Sequence, residues 1–215
     1  MSTAVFVFGR FNPPTIGHEK LINALIATNQ REGGTCLVYG SHTQDSRTNP
    51  LTHTQKFKYL QKMFPRHKKH FKSNSKAKTA LEVAVELNGK YDKLIMVVGS
   101  DRVSDFSSLL NTYNGKKSKH GFYEYKEIDI VSAGERDPDA DGASGMSASK
   151  MRKAATQGDF EAFQMGASSE LTVKDKRNMM NDVRVGLKLD VIREGMKRRR
   201  GLRKPLEVTN CDLKI

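Results

Sequence analysis

The chain has 215 residues, enough for one medium domain, or one domain with an appendage, built around a substantial core. Lys and Arg exceed Asp and Glu by 37 to 24, a net charge of +13, and the mix of short apolar runs with amphipathic segments reads as soluble and globular. No stretch approaches a membrane span, no basic segment followed by a long apolar run opens the chain, and two cysteines without framework spacing point to a reducing compartment, so a cytoplasmic protein is expected.

The first strand is the apolar run Ala4 to Phe8, which stops at Gly9. A helix follows from Gly17 to about Thr28, with Leu21, Ile22, Leu25 and Ile26 as its apolar stripe. Gly33-Gly34 interrupts the chain before a second strand, Thr35 to Tyr39, in which Cys36 reads as a small core residue. Strand, helix and strand in that order imply a parallel sheet. A polar loop, Ser41 to Pro50, leads to a helix over Thr52 to Phe64 that Pro65 ends. The basic piece Arg66 to Lys72 holds room for a short third strand around His70 and Phe71.

Ala77 to Leu87 reads as a helix and Lys93 to Val98 as a buried strand that opens onto Gly99-Ser100-Asp101-Arg102. Asn111 to His120 is a polar loop, Gly121 to Val131 alternates as a strand, and Ser132 to Gly145 is an exposed loop. Met146 to Arg152 opens a helix with Ser147 as its N-cap, and a short helix spans Asp159 to Gln164. Beyond Leu171 one long, imperfect helix, Val173 to about Gly195, is interrupted at Gly186 and leads into Lys197-Arg198-Arg199-Arg200. The last 45 residues carry 13 basic and 6 acidic side chains, +7 of the total charge. The expected architecture is α/β, a Rossmann-like doubly wound parallel sheet over residues 1–170, with a basic helical C-terminal extension over 171–215. No internal repeat is visible.

The stretch Gly9-Arg10-Phe11-Asn12-Pro13-Pro14-Thr15-Ile16-Gly17-His18 joins a strand to a helix start. A loop there exposes the helix's first backbone N–H groups, which with the positive end of the helix dipole favour an anion such as phosphate. Gly17 lets backbone approach a ligand closely, and His18 in the first turn can point at the same anion. Gly99 and Asp101 also lie just past a strand's C-terminal end, where open α/β sheets bind ligands. Asp101 has the alternative of capping the helix that enters at Val103.

That loop, together with Ser147-Ala148-Ser149-Lys150-Met151-Arg152, resembles the nucleotidyltransferase superfamily of HxGH adenylyl- and cytidylyltransferases, over roughly Ala4 to Gly166. The first histidine of that signature is Thr15 here. The eukaryotic type of nicotinamide mononucleotide adenylyltransferase looks similar at this point, with Asn12-Pro13 before the threonine. Gly99-Ser100-Asp101, Arg47-Thr48-Asn49-Pro50-Leu51 and Gly158-Asp159-Phe160 resemble further pieces of that branch, and the chain as a whole looks like phage-encoded nucleotidyltransferases, which would place it in a host cytoplasm.

The resemblance implies transfer of AMP from ATP to a small phosphorylated acceptor, with pyrophosphate released and no protein nucleophile. His18, Thr15 and Arg152 are the implied catalytic residues. His18 would donate to the α- or β-phosphate, and Arg152 with Ser147 and Ser149 would hold the β- and γ-phosphates. Gly9, Arg10, Phe11, Asn12, Gly17, Gly99 and Asp101 complete the implied nucleotide- and phosphate-binding set; Arg10 and Asn12 have the alternative of merely fixing the turn. Magnesium would bridge the phosphates mainly through water, so no protein metal site is expected. A homo-oligomer is the expected assembly.

Three other readings stay open. A cytidylyltransferase for a phosphorylated alcohol uses the same chemistry. Degenerate class I aminoacyl-tRNA synthetase signatures look similar, but the chain is short for such an enzyme. A nucleotide-binding or structural protein, such as a virion-associated one in a phage, would dock through its tail, where seven Lys or Arg lie among Arg193 to Lys204 with no aromatic for base stacking. His67 and His70 read as basic surface rather than metal ligands, while His42 and His53 flank the loop after the second strand.

Overall fold

The computed structural model describes residues 1–134 and 146–192. Four parallel strands, β1 (Thr3–Gly9), β2 (Thr35–Gly40), β3 (Lys93–Val98) and β4 (Glu127–Ser132), form one sheet in the order β2-β1-β3-β4. The first three are near-continuous apolar runs because both sheet faces are covered. Val5, Val7, Cys36, Val38, Ile95 and Val97 face one layer, and Ala4, Phe6, Leu37, Tyr39, Leu94, Met96 and Val98 face the other.

The first layer holds α1 (Ile16–Glu32), α2 (His53–Met63), α5 (Ala148–Gln157), α6 (Phe160–Met165) and α7 (Val173–Gly186). The second holds α3 (Ala80–Leu87) and α4 (Val103–Tyr113). Helices on both faces make the sheet doubly wound, as expected. From β1 the chain passes to β2 on one side, and β3 then lies on the other. The strand order therefore reverses beside β1, and a crevice opens at the C-terminal ends of β1 and β3.

Helix α1 buries Ile22 and Leu25 against the sheet, each contributing about 1.5–3 kcal/mol, and Gly33 ends it in the left-handed region at φ 66°. Leu21 and Ile26, the flanks of the expected stripe, are only partly buried. Cys36 is buried, and burial pushes its thiol up to about 11, so it is an inert core residue.

Several elements differ from expectation for identifiable reasons. Residues Pro65–His70 form a 3-10 helix rather than leading into a strand. Only Phe71 joins the sheet, through one bridge to Val38, because its ring packs between Phe57 and Phe64. Helix α3 starts three residues later than expected, where Thr79 Oγ1 accepts from the Glu82 N–H. Strand β4 starts only at Glu127, because Tyr123 and Tyr125 are buried in the second layer and donate to the Leu110 and Ala84 carbonyls. Helix α4 runs to Tyr113, into the expected loop.

Within the stretch expected as a C-terminal extension, the residues of α7 fold onto the domain. Met179, Met180 and Val183 are buried in the first layer, and the helix ends at Gly186 instead of running to Gly195. A Cβ at Gly186 would lie 2.1 Å from the Pro50 carbonyl oxygen, so the last turn of α7 rests on the backbone of the loop after β2. Most of the loop expected over Ser132 to Gly145, the basic cluster of residues 193–204 and Cys211 lie outside the described residues.

Candidate active site

The loop from β1 to α1 is built around His18. Thr15 is the N-cap of α1, and its Oγ1 accepts from the His18 N–H at 3.3 Å while its own N–H donates to His18 Nδ1 at 3.0 Å. This is a capping box with histidine in the place usually taken by Glu or Gln. Since Nδ1 accepts from a backbone N–H, the neutral ring carries its proton on Nε2. The ring also stands edge-on to Phe11, with centroids 5.0 Å apart. Phe11 is buried at φ 47°, a left-handed conformation that costs a non-glycine residue about 1–2 kcal/mol. Gly9 makes room for it: a Cβ there would lie 2.7 Å from the Phe11 ring.

The amides at the start of α1 are mostly occupied. Ile16 N–H donates to the Gly166 carbonyl at 3.0 Å, His18 N–H to Thr15 Oγ1, and Glu19 N–H to the Thr15 carbonyl. Only the N–H of Gly17 has no partner among the described residues, and Gly17 is exposed. The anion site expected from several amides thus narrows to one. A Cβ at Gly17 would meet only Thr15 Oγ1 at 3.4 Å, an ordinary contact, so the fold itself does not require glycine there.

The second sequence motif reaches this loop directly. Ser147 caps α5 by accepting from the Lys150 N–H at 3.1 Å. One turn on, Arg152 donates through Nη1 to the Asn12 carbonyl at 2.7 Å and through Nη2 to Ser149 Oγ at 3.0 Å. The Asn12 amide is itself occupied: Nδ2 donates to the Leu51 carbonyl and Oδ1 accepts the Leu51 N–H. Asn12 therefore fixes the turn, the alternative the sequence allowed, and ties together the loops after β1 and β2. Arg10, next to it, is exposed.

Gly99 and Asp101 stand at the end of β3. A Cβ at Gly99 would lie 2.7 Å from Asp101 Oδ1, so this glycine admits the folded-back carboxylate. Asp101 does not cap α4: Arg102 holds the N-cap position, without a side-chain bond, and the exposed Asp101 carboxylate lies 3.7 Å from the Arg102 guanidinium. No hydrogen bond links Asp101 to the cluster of Asn12, Thr15, His18, Ser149 and Arg152.

Electrostatics add residues that sequence reasoning missed. Lys56 on α2 is fully buried, and its Nζ donates to the Ser41 carbonyl at 2.9 Å and the Thr43 carbonyl at 3.0 Å. Burial first, and the nearby Arg10 second, lower it to about 8. Burial and Arg10 also lower Arg152, while Asp45 opposes both shifts. The charges of Arg10 and Asp45 thus act on both Lys56 and Arg152. Asp45 also organises its own loop, accepting from the N–H groups of Arg47, Thr48 and Asn49.

His42 and His53 stack at 4.0 Å, and His42 Nε2 donates to the Ser75 carbonyl. Burial, the His42 ring and Lys56 bring His53 down to about 4, so it is neutral near pH 7. His67 and His70 also stack, at 5.6 Å, and His70 Nδ1 donates to the Cys36 carbonyl. Among the described residues no group of three His, Cys, Asp or Glu side chains is placed to hold a metal ion.

Over residues 6–154, well over half of the chain, the sequence matches the family described as cytidylyltransferase-like. The chain belongs to that family. It is thereby a member of the nucleotidyltransferase superfamily. Comparison with curated proteins gives no match.

In this cytidylyltransferase-like domain the matched span holds both motifs, from β1 to the first turns of α5. The Arg152–Asn12 bond joins them across 140 positions. An imidazole Nε2–H, a backbone N–H and a guanidinium brought together in this way are donors of the kind that suit phosphate groups. Lys56 left one sequence signal. It occupies the i−3 and i−4 position from Tyr59 and Leu60, on the apolar stripe of α2, where a lysine is out of pattern.

Proposed function

We propose that this nucleotidyltransferase transfers an adenylyl group from ATP to a small phosphorylated acceptor, nicotinamide mononucleotide first among candidates, with release of pyrophosphate. The observation that carries the reading is the Arg152 guanidinium, which reaches from α5 to the Asn12 carbonyl three residues before Thr15, the partner of His18. The preference for ATP and this acceptor rests on the resemblance of Asn12 to Thr15, Arg47 to Leu51 and Gly99 to Asp101.

In the reaction an acceptor phosphate oxygen attacks the α-phosphorus. The bond from that phosphorus to the bridging oxygen of the β-phosphate breaks, and pyrophosphate leaves with the electron pair. The protein's part is positional and electrostatic. His18 Nε2–H donates to an α-phosphate oxygen as charge builds there, Gly17 N–H supports it, and Arg152 faces the leaving phosphates. Magnesium enters as part of the triphosphate substrate, since the charges of Arg10, Lys56 and Arg152 suit the phosphates rather than a bare cation.

Cytidylyl transfer to a phosphorylated alcohol is the second reading, favoured by the description of the matched family. Pyrophosphate release, measured with magnesium for ATP and CTP against a panel of phosphorylated acceptors, separates the two. Release with ATP and nicotinamide mononucleotide is expected. Turnover with CTP alone would select the second reading, and no release from any pair would leave a nucleotide-binding protein.

A further inference from the structure

We propose that Lys56 is a positioning residue of this site: its buried ammonium fastens the loop of residues 41–49 beside the loop after β1 by holding the Ser41 and Thr43 carbonyls. The proposal rests on the nucleotidyl-transfer reading for its effect on turnover, but not for the fastening itself.

A lysine with no exposed surface and no ion pair among the described residues is expensive to keep, because a buried charge needs partners. Here the partners are one loop. Two N–H groups of Lys56 go to the Ser41 and Thr43 carbonyls, and the third points toward Ser41 Oγ at 3.4 Å. No donor is left for a ligand, so Lys56 acts through what it holds.

What it holds is otherwise tied at its two ends and at His42, whose Nε2 donates to the Ser75 carbonyl. Ser41 N–H donates to the Gly9 carbonyl at one end, and Leu51 exchanges two hydrogen bonds with Asn12 at the other. Between them lie His42, stacked on His53, and the Asp45 turn that sets the course of Arg47 and Thr48. Without Lys56 the carbonyls of Ser41 and Thr43 would lose their donor, and the Asp45 carboxylate would lose its fixed distance from Arg10 and Arg152.

The charged groups around Lys56 give the device a pH dependence. Arg10 from the loop after β1 opposes its charge, Asp45 from the fastened loop supports it, and His53 on the same helix is held neutral. Arg152 from α5 faces the same Arg10 and Asp45. With Lys56 lowered to about 8, mildly alkaline solution removes one donor and one positive charge from the site. The loop then loosens, and anionic substrates bind less well.

The test uses the full chain as wild type, Lys56→Met and Lys56→Arg. Hydrogen exchange without substrate reads the fastening. Amides of residues 41–49 should exchange about tenfold faster in Lys56→Met while those of β1 and β3 are unchanged, the loss expected for charge-assisted hydrogen bonds. In the wild type, exchange of the same amides, corrected for its intrinsic pH dependence, should rise as pH passes about 8. That second measurement needs no variant.

Kinetics reads the consequence. Lys56→Met should raise KM for one substrate about tenfold with kcat within about threefold, the pattern of lost binding rather than lost chemistry. The fall of kcat/KM above pH 8 in the wild type should vanish in Lys56→Met and move to higher pH in Lys56→Arg. Unchanged exchange in residues 41–49, or an alkaline limb that persists in Lys56→Met, overturns the proposal. If no substrate pair turns over, the nucleotidyl-transfer reading fails while the exchange measurements still decide the fastening.

Discussion

His18 sits at the third position of α1, and the hydrogen bond it accepts from Thr15 decides which ring nitrogen holds the proton. His18→Ala should therefore lower kcat by about 10²–10³, the effect of removing one transition-state donor. Near-normal turnover in a folded His18→Ala protein would exclude that role. Gly17→Ala separates fold from function in the same turn. The space around Gly17 admits a Cβ, so the melting temperature should stay within about 2 °C, as for a surface change of about 0.5 kcal/mol, while KM for the triphosphate rises. A matching loss of stability would show that the glycine serves the helix instead. Lys56 supplies a stability signature as well. Between about pH 8 and the usual lysine value near 10.5 the unfolded chain holds the proton and the folded one releases it, so unfolding takes up a proton. Raising the pH through that window should stabilise the wild type relative to Lys56→Met, by up to about 3 kcal/mol, as read by denaturant melts across the pH range.

Among the elements, α7 links the end of the described chain to the site. Arg184 Nη1 donates to the Ala155 carbonyl on α5, and Gly186 rests on Pro50, next to the Leu51 that Asn12 holds. Gly186→Ala would force Pro50 or the helix to move, since a Cβ would fall 2.1 Å from a backbone oxygen. A loss of about 1–3 kcal/mol in a denaturant melt is expected, the usual penalty of overpacking, with KM rising as the loop after β2 shifts. An unchanged melt would mean that α7 is not seated on that loop. At the other end of the strands, Lys93 gathers Glu127 and Asp129 at 2.7 Å each, and these carboxylates hold its ammonium above the usual lysine range. That cluster secures the pairing of β3 with β4, away from the crevice.

Over the whole molecule, a site that recognises a magnesium–triphosphate should make stability depend on that ligand. At a hundred times its dissociation constant the ligand adds about 2.7 kcal/mol, or about 5–10 °C in melting temperature for a chain of this size. Arg152→Ala should lose most of that shift, and a full shift in the variant would take Arg152 out of the site. The sequence by itself determined the α/β class, three strands nearly to the residue, the cap Ser147, and both sequence motifs. Buried parallel strands and helix starts are written in local pattern, where apolar runs and side-chain caps act on their own neighbours. Tertiary structure alone decided the rest. Tyr123 and Tyr125 shorten β4 by finding carbonyls on other helices, and Asn12 turns inward to Leu51. Gly186 ends α7 against Pro50, and Lys56 is buried under the loop it holds. Each of these depends on a partner distant in sequence or on space left by other elements, and no local window of the chain contains both sides of such a contact.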